Sequence, residues 1–589
     1  MKKETSFKII AMLLPILLVI LLELILRLFN LFPQIPLFIE DKKQNLVTVN
    51  SQIGERYFDK RKVPVPNLYP QTFSYEKSSD TYRIFCLGGS TTAGFPYEMT
   101  VPFPQQLKFM LTEKHPEKNF EVINIGLSAI NSFTVLDWLP EILEHDPDLV
   151  LIYMGHNEFY GAYGTGSNIS VGNNGTFSRF MLNMQKVRIF QAVKSLVNSL
   201  TPQQPVVTDA TLMEKITDNR NIPPDSELRQ ITYQNYADNL DIILKKLGKK
   251  KIPVIMSNLV SNLKDQPPLG QNSESFRKSK TLDEFILAKD LDEIPFRAPS
   301  SINTIIAKKT NEHDVIFVDM FQKFNDKTLG GIPGNNLFCD HLHPNPVGYY
   351  LMATQFLNRI FEADILSGNA SENAELTPKF VTQLDWEIGG LRVFKLEQKW
   401  PFYSRETQYP GRIKPTRKPV VEIAEDFLFD HHIWGKAHSD MAEYYENENA
   451  YDLACKEYQA ILAMFPEKLD YYLKLMNSAQ KARDWKLLEQ TGQKALALTS
   501  VQGMLYYNIA LAQRNQGKLR RAFDNVQKAL NSGDLTHEQL GYVFYLKALI
   551  LTDIKEYAEA RKILEVIIEE APDFDAAKKL LKEINNKQK

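Results

Sequence analysis

Five short apolar runs between residues 80 and 320 constrain the fold of this chain more than any other feature. Each run is nearly continuous in hydrophobicity rather than alternating, which is typical of strands buried on both faces. Segments with helical periodicity separate the runs, so the sequence predicts an α/β domain whose parallel sheet is covered by helices on both sides. Functional groups of such a domain gather beyond the carboxyl ends of its strands. The runs read RIFCLGG, VINIG, LVLIYMG, IPVIMSNL and VIFVD.

The N-terminus indicates a membrane segment. Three lysines precede a stretch that is uncharged over residues 9–22, and Glu23 and Arg27 follow it four residues apart. On a helix these two charges can pair on one face. The apolar segment is long enough to span a bilayer, and the basic residues before it indicate a cytoplasmic N-terminus.

We therefore expect an uncleaved signal anchor, a transmembrane helix within residues 1–33, with the rest of the chain on the extracytoplasmic side of the membrane. No small-residue cleavage site follows the apolar stretch, which disfavours a removed signal peptide. A helix that lies on the membrane surface is the remaining alternative.

The C-terminal part changes to continuous helix from about residue 437. Positions 454, 488 and 522 are spaced by 34 residues, and this period resembles that of tetratricopeptide repeats, with three good units and one degenerate unit. A generic helical bundle is the alternative. Stacked repeats form concave surfaces that bind peptides or proteins, so we expect a protein or peptide partner here. Small residues also recur with a twelve-residue offset in the pairs Ala442/Ala454, Ala510/Ala522 and Ala548/Ala560.

Composition excludes little else. The formal net charge of −2 gives no electrostatic reason to expect a nucleic-acid partner. Three cysteines are too few for a disulfide framework, although pairing of Cys86 with Cys339 stays open.

An amphipathic helix is expected near residues 178–200, inside a long insertion between the third and fourth runs. The predicted regions are 1–33 (anchor), 34–79 (linker), 80–364 (α/β domain), 365–436 (connector) and 437–589 (repeats).

The stretch IFCLGGSTTAG, residues 84–94, ends the first apolar run on Gly88, Gly89 and Ser90. It fits an ordinary turn, a phosphate-binding loop or a nucleophile displayed at a strand end. A phosphate loop requires a lysine before its hydroxyl residues, and none is present. Two interpretations therefore remain: an ordinary turn, or a nucleophile displayed at the strand end.

Polar residues at the other strand ends distinguish these two interpretations. Gly126 ends the second run, Asn157 follows the third, and Asp340 and His343 lie three residues apart beyond the fifth. This set resembles the four sequence blocks of the SGNH (GDSL-like) hydrolases, which supply Ser, Gly, Asn and His in that chain order. The likeness covers about residues 80–360. The chain departs from the pattern at Gly89, where the family often has aspartate.

The resemblance implies a flavodoxin-like three-layer sandwich with a mainly parallel five-stranded sheet, and it implies a site. A serine hydroxyl needs a base to become a nucleophile, and His343, oriented by Asp340, is the expected base for Ser90. The oxyanion that forms on the substrate requires preorganised donors. These are expected to be the Ser90 and Gly126 backbone N–H groups and the Asn157 side-chain amide.

The implied chemistry is acyl transfer from an ester through an acyl-serine intermediate, with no cofactor and no metal. We expect a membrane-anchored esterase that acts on acylated envelope carbohydrate or lipid. Transfer of an acetyl group to a glycan is the first alternative, and an inactive binding scaffold that uses the repeats is the second. His156, Glu158 and Tyr160 adjoin the expected site without an assigned role, and a metal site formed by His156, His341 and His343 lacks a typical ligand spacing.

Overall fold

The computed structural model describes residues 2–170, 172–200, 211–217, 221–270, 273–370, 375–402, 418–429 and 432–587. By its internal contacts the chain divides into two compact units. The first, called the catalytic unit below, comprises residues 1–379 with 389–410. The second, the repeat unit, comprises residues 380–388 with 411–589.

The chain begins with the long helix α1 (Lys2–Leu28), which contains Pro15. Its stretch Ala11–Leu28 is long and apolar enough to cross a membrane, and little of that stretch is buried against the protein. The predicted pair forms, because Arg27 Nη2 lies 2.8 Å from Glu23 Oε1. The charges at this end of the helix therefore have a partner on the same face.

Residues 34–79 differ from the predicted linker. They contain the antiparallel strands β1 (Phe38–Asp41), β2 (Leu46–Val49) and β3 (Thr72–Ser74) and a 3₁₀ helix, Ser51–Arg56. Phe38 and Phe73 from this sheet pack edge-on against Phe85 of the main sheet, at ring separations of 6.0 and 5.9 Å. Strands of three or four residues are too short to produce a recognisable period in the sequence, which explains the difference.

The main sheet confirms all five predicted strands. They are β4 (Thr81–Gly88), β5 (Asn119–Gly126), β6 (Leu149–Tyr153), β7 (Val254–Ser257) and β8 (Ile316–Val318). All neighbours are parallel, and the order β5-β4-β6-β7-β8 is the flavodoxin-like one. Gly88 at the end of β4 lies in register with Gly126 on one side and Tyr153 on the other, so three strands end together.

Helices cover the sheet in two layers, which completes the predicted three-layer sandwich. On one side, α3 (Phe103–Lys114) contacts β5 and α13 (Pro346–Glu362). On the other, α8 (Glu227–Lys249) contacts both α4 (Ser132–Leu143) and α11 (Ser300–Glu312). The helices of this unit after α1 are α2 (Ser90–Ala93), α3 (Phe103–Lys114), α4 (Ser132–Leu143), α5 (Gly175–Met184), α6 (Arg188–Leu200), α7 (Leu212–Ile216), α8 (Glu227–Lys249), α9 (Ser273–Lys278), α10 (Leu282–Asp290), α11 (Ser300–Glu312), α12 (Met320–Asp326) and α13 (Pro346–Glu362).

The amphipathic helix expected near residues 178–200 is two helices, α5 and α6, separated by residues 185–187. Gln185 ends α5, and its side-chain amide donates a hydrogen bond to the Tyr163 hydroxyl. The apolar periodicity continues across this break, so the sequence pattern alone does not reveal it.

The repeat unit is helical and consists of successive helix pairs. The alanines of the three twelve-residue pairs are fully buried. Ala510 shares one core cluster with Ala522, and Ala548 shares another with Ala560. This arrangement is tetratricopeptide-like, as predicted. The remaining helices of the chain are α14 (Gln383–Glu397), α15 (Pro419–Phe429), α16 (Trp434–Asn447), α17 (Tyr451–Met464), α18 (Leu469–Lys481), α19 (Trp485–Ala495), α20 (Gly503–Asn515), α21 (Leu519–Asn531), α22 (His537–Asp553), α23 (Tyr557–Glu570) and α24 (Asp575–Lys587), with a 3₁₀ turn at Leu496–Leu498.

Candidate active site

Ser90 lies where the central strand β4 ends and the short helix α2 begins. The turn between them requires glycine, because a Cβ at Gly88 would lie 2.1 Å from the carbonyl oxygen of Tyr153. Gly89 is the N-cap of α2, and Ser90 is the first helical residue and half-buried. The serine hydroxyl is thus presented at the carboxyl edge of the sheet, where ligands bind in open α/β folds.

Asp340 and His343 lie in the loop that precedes α13, not on a helix. Asn345 ends this loop and caps α13, since its side chain accepts a hydrogen bond from the Gly348 N–H at 3.0 Å. His343 Nδ1 lies 2.6 Å from Asp340 Oδ2, and His343 Nε2 lies 2.8 Å from Ser90 Oγ. The structure therefore brings together three side chains that are up to 253 residues apart in sequence.

The hydrogen bonds fix the direction of the proton path. The Asp340 carboxylate accepts the N–H groups of Leu342 (2.9 Å) and His343 (2.7 Å) through Oδ1, so Oδ2 accepts from the imidazole. His343 then donates through Nδ1, and Nε2 is left to accept the Ser90 hydroxyl proton. Burial by itself raises the pKa of the Asp340 carboxyl, but the neighbouring His343 and His341 rings outweigh it and hold this pKa well below its usual range.

Asn157 lies beside the serine turn. A Cβ at Gly89 would lie 2.9 Å from the Asn157 amide nitrogen, so the side chain packs directly on the Gly89 backbone. Ser90 and Asn157 line the same pocket. Within the described residues no hydrogen bond occupies the Asn157 amide nitrogen or the Ser90 N–H.

The predicted donor Gly126 does not fit this site. Its N–H donates a hydrogen bond of 2.9 Å to Asn124 Oδ1 and is therefore occupied. A Cβ at Gly126 would lie 2.1 Å from the Ala93 backbone nitrogen, so glycine is needed here for the close approach of α2 to β5. The Gly126 prediction is corrected: the residue supports the turn below Ser90.

Ala129, three residues further on, is the alternative candidate for this donor. It lines the pocket with Ser90 and Asn157, and its φ of +60° places it in the left-handed region that few non-glycine residues adopt. Its carbonyl oxygen accepts the Ala162 N–H at 3.0 Å, whereas no hydrogen bond to a described residue uses its own N–H. Sequence reasoning missed Ala129 because an alanine carries no signal of a positive φ.

The pocket at Ser90 has a volume of about 260 Å³ and mostly apolar walls. Two segments far from the sequence blocks contribute to it: residues 211–213 and residues 400–402. The His341 ring lies 5.1 Å from that of Phe402, to which it is tilted by 57°, and it contacts the Phe296 ring edge-on at 6.2 Å. The apolar side chains of the walls are Phe95, Ala129, Leu212, Met213, Phe296, Leu342, Leu396, Trp400, Pro401 and Phe402.

His156, Glu158 and Tyr160 support the site from inside the protein. His156 Nδ1 accepts the Ala298 N–H at 3.2 Å, and burial next to the other two histidines lowers its pKa to about 3. Glu158 accepts both the N–H (3.0 Å) and the hydroxyl (2.7 Å) of Ser132 at the start of α4, and burial raises its pKa to about 7. Tyr160 is fully buried and its ring lies 4.8 Å from that of Phe296.

One group of residues has the composition of a metal site. Potential ligand atoms of Asp340, His341 and His343 lie within 4.8 Å of one another. Both ring nitrogens of His343 already have partners, however, and His156 is hydrogen-bonded to the Ala298 backbone. The geometry of this group thus fits a hydrogen-bonded relay.

Cys86 and Cys339 are free, and the Cys339 thiol donates to the His343 carbonyl oxygen at 3.2 Å.

Residues 86–351 match the GDSL-like lipase/acylhydrolase family. None of the curated proteins has a sequence that matches this chain.

Several solved structures are similar to parts of the chain. AlinE4, an SGNH-hydrolase family esterase, is 14% identical with a TM-score of 0.23, and the match covers 49% of this chain and 97% of AlinE4. A GDSL-like lipase from Bacteroides thetaiotaomicron is 15% identical with a TM-score of 0.26, over 48% of this chain and 88% of the lipase. The MamA protein is 18% identical with a TM-score of 0.23, over 26% of this chain and 81% of MamA. Likenesses at these scores carry no functional argument.

Proposed function

We propose that this chain, whose residues 86–351 form a domain of the GDSL-like lipase/acylhydrolase family, is a serine ester hydrolase. One observation carries the proposal: the continuous hydrogen-bonded path from Ser90 Oγ to His343 Nε2 (2.8 Å) and from His343 Nδ1 to Asp340 Oδ2 (2.6 Å). A nucleophile, a base and a group that orients the base are the parts that acyl transfer requires.

In the acylation step, Ser90 Oγ attacks the ester carbonyl carbon while its proton passes to His343 Nε2. The carbonyl oxygen becomes an oxyanion, which we assign to the Ser90 and Ala129 N–H groups and the Asn157 amide. The buried Asp340 carboxylate stabilises the imidazolium that forms. The tetrahedral intermediate then collapses: the alcohol leaves with the proton from His343, and the acyl group stays on Ser90.

In the deacylation step, water attacks the acyl-serine and gives its proton to His343. The same donors hold the second oxyanion, and collapse of this intermediate releases the carboxylic acid and restores the Ser90 hydroxyl. A sugar hydroxyl in place of water would yield an acylated glycan. Because the acceptor enters only in this step, product analysis distinguishes the hydrolase from the transferase.

The surroundings of Ser90 support a substrate class. Aromatic and aliphatic side chains line most of the pocket, which favours an ester with an apolar acyl group over a free sugar at this position. The α1 helix supports attachment of the enzyme to a membrane. The lysines that precede its apolar stretch support an extracytoplasmic position of the catalytic unit. We therefore propose acylated envelope lipid or carbohydrate as substrate, and a protein or peptide partner for the repeat unit.

A fluorophosphonate probe tests the serine directly. Full-length wild-type protein in detergent is expected to take up one probe per chain, on the peptide that contains Ser90 when the adduct is mapped by mass spectrometry. The Ser90→Ala variant and heat-denatured wild type are the controls, and both are expected to remain unlabelled. Absence of labelling in a well-folded wild type, or an adduct on another residue, would contradict the proposal.

A further inference from the structure

Helix α6 is amphipathic, and part of its polar side faces the protein. Asn198 is held by Arg61, whose Nη1 donates to the Asn198 carbonyl oxygen at 2.6 Å and whose Nη2 donates to its Oδ1 at 2.7 Å. Gln191, seven residues earlier on the same side, donates to the Gln185 carbonyl oxygen at 2.7 Å. Two of the partly buried side chains of this helix, Gln191 and Asn198, are therefore held by hydrogen bonds.

The opposite face is apolar and exposed. Val193, Leu196 and Leu200 retain 55%, 60% and 76% of their accessible surface. Their spacing of three and four residues places them on one stripe of the helix, turned away from Asn198. A surface helix of a soluble protein ordinarily has the reverse orientation, with its apolar stripe towards the core. A continuous exposed apolar stripe of this kind marks an interaction surface.

The position of α6 relates this stripe to the membrane helix. Glu23 of α1 accepts the Arg188 N–H through Oε1 (3.0 Å) and the Ile189 N–H through Oε2 (3.0 Å), which are the first two residues of α6. Arg27 of α1 donates to the Lys186 carbonyl oxygen at 3.0 Å. The helix α6 thus starts at the end of the apolar stretch Ala11–Leu28, at the level where a spanning helix would leave the hydrocarbon.

We propose that α6 lies in the membrane surface, with Val193, Leu196 and Leu200 inserted at the boundary between lipid headgroups and acyl chains. This inference rests on the proposed anchorage of the chain by α1. Interfacial helices have the features seen here: a narrow apolar stripe, a polar opposite face and neighbouring basic residues that suit anionic headgroups. Arg27 and Lys186 are such residues: they pair with the carboxylates of Glu23 and Asp137, and their side chains remain 52% and 40% exposed.

Attachment at two helices would orient the whole catalytic unit on the membrane. A single spanning helix would leave this unit free to tilt on the membrane, whereas α1 and α6 together attach it through a line of contacts. The Ser90 pocket belongs to the same compact unit as both helices, so its distance from the lipid surface is fixed by them. The proposed enzyme then acts on esters at a set height above the bilayer.

Lipid-resident quenchers test the inference on the full-length protein in nanodiscs that contain anionic lipid. A fluorophore is attached at Leu196→Cys or, as matched control, at Ser195→Cys, an exposed position on the neighbouring side of α6. The label at position 196 is expected to be quenched several-fold more strongly than the label at 195. Equal quenching, or a 196 label shielded by a second copy of the chain and not by lipid, would overturn the inference. Wild type without an added cysteine is the blank for the native thiols.

Two further measurements distinguish a failure of this inference from a failure of the proposed anchor or of the proposed activity. A label at Leu17→Cys, in the middle of α1, reports whether the anchor lies in the bilayer. Fluorophosphonate labelling of Ser90 in the same nanodiscs reports whether the active site is competent. Strong quenching at position 17 and full Ser90 labelling without preferential quenching at 196 would refute the role of α6 alone.

Discussion

His343 of the catalytic unit and His438 of the repeat unit both place Nδ1 at 2.6 Å from a buried carboxylate, of Asp340 and Glu457 respectively. Their second nitrogens differ. His343 Nε2 lies 2.8 Å from the Ser90 hydroxyl at the wall of an open pocket. His438 is fully buried on α16, and its Nε2 lies 3.4 Å from a second carboxylate, that of Asp385.

The comparison shows what a histidine–carboxylate pair requires to do chemistry. Burial alone lowers the pKa of His438, but Asp385 and Glu457 outweigh it and raise the pKa to about 9, so this imidazole holds its proton. The Trp434 ring, 3.9 Å away, closes one side of it. A pair that faces a hydroxyl in a pocket can move a proton to and from substrate, whereas a pair enclosed by a second carboxylate acts as a buried cation that holds helices together.

Substitution of the two histidines should separate these roles and gives the largest expected effect. His343→Ala is expected to reduce kcat/KM for an activated ester by about 10⁴-fold or more, because Ser90 loses its base. His438→Ala is expected to leave kcat/KM nearly unchanged. Steady-state hydrolysis by full-length proteins with matched circular dichroism spectra provides the measurement. A comparable loss in both variants would remove the distinction.

A smaller loss should follow when Asn157, a proposed oxyanion donor, is replaced. Asn157→Ala is expected to lower kcat by about 10²–10³-fold with little change in KM, because the amide acts only on the charge that develops in the transition state. Asn157→Asp, which keeps the shape and replaces the donor by an acceptor, is expected to be at least as impaired. Normal turnover by either variant would exclude Asn157 from the oxyanion site.

The buried, protonated imidazole of His438 predicts that the stability of the repeat unit depends on pH. The pKa of His438 is about 9 in the folded chain, above its ordinary value of 6.5. The stabilisation it contributes is therefore fully present below pH 6.5 and is lost as pH rises through about 9, a change of about 3 kcal/mol. Hydrogen exchange of the α16 and α17 amides, corrected for intrinsic rates, measures it.

In His438→Gln this contribution should be absent at every pH. The helices should be less stable than in wild type below pH 6.5, because two buried carboxylates have lost their counter-charge. If the stability of these helices decreased with rising pH in the variant as it does in wild type, another titrating group would be responsible.

The smallest expected effect concerns Ala129. Because its φ is +60°, Ala129→Gly should preserve the backbone N–H and retain activity within a few-fold. Ala129→Val places a β-branched residue in the left-handed region and should cost about 1–3 kcal/mol in stability, with reduced turnover. Thermal unfolding and initial rates measure both. Severe inactivation of the glycine variant would show that the side chain, rather than the N–H, matters.

Much of the catalytic unit could be predicted from the sequence. Strands buried on both faces produce continuous apolar runs, so all five strands of the main sheet were recognisable, and the residues that follow them identified Ser90, Asn157, Asp340 and His343 as neighbours. The buried alanines of the repeats were predictable in the same way, since close helix crossings exclude larger side chains.

The features that were missed depend on tertiary structure. The sequence indicated Gly126, because a glycine signals close backbone approach, and it gave no indication of Ala129, because the positive φ of an alanine is set only by the surrounding fold. The pocket walls come from residues 211–213 and 400–402, which no local pattern connects to Ser90. The periodicity of α6 revealed an amphipathic helix but not which face lies outward.

The most direct test of the account follows the acyl group to its residue. Full-length wild type is mixed with an activated carbamate, whose carbamoyl-serine adduct is hydrolysed slowly, and the quenched protein is measured by intact mass and peptide mapping. We predict one carbamoyl group per chain on the peptide that contains Ser90, no adduct in Ser90→Ala, and an unchanged adduct in His438→Gln. Carbamoylation of Ser90→Ala to the same extent as wild type would contradict the account.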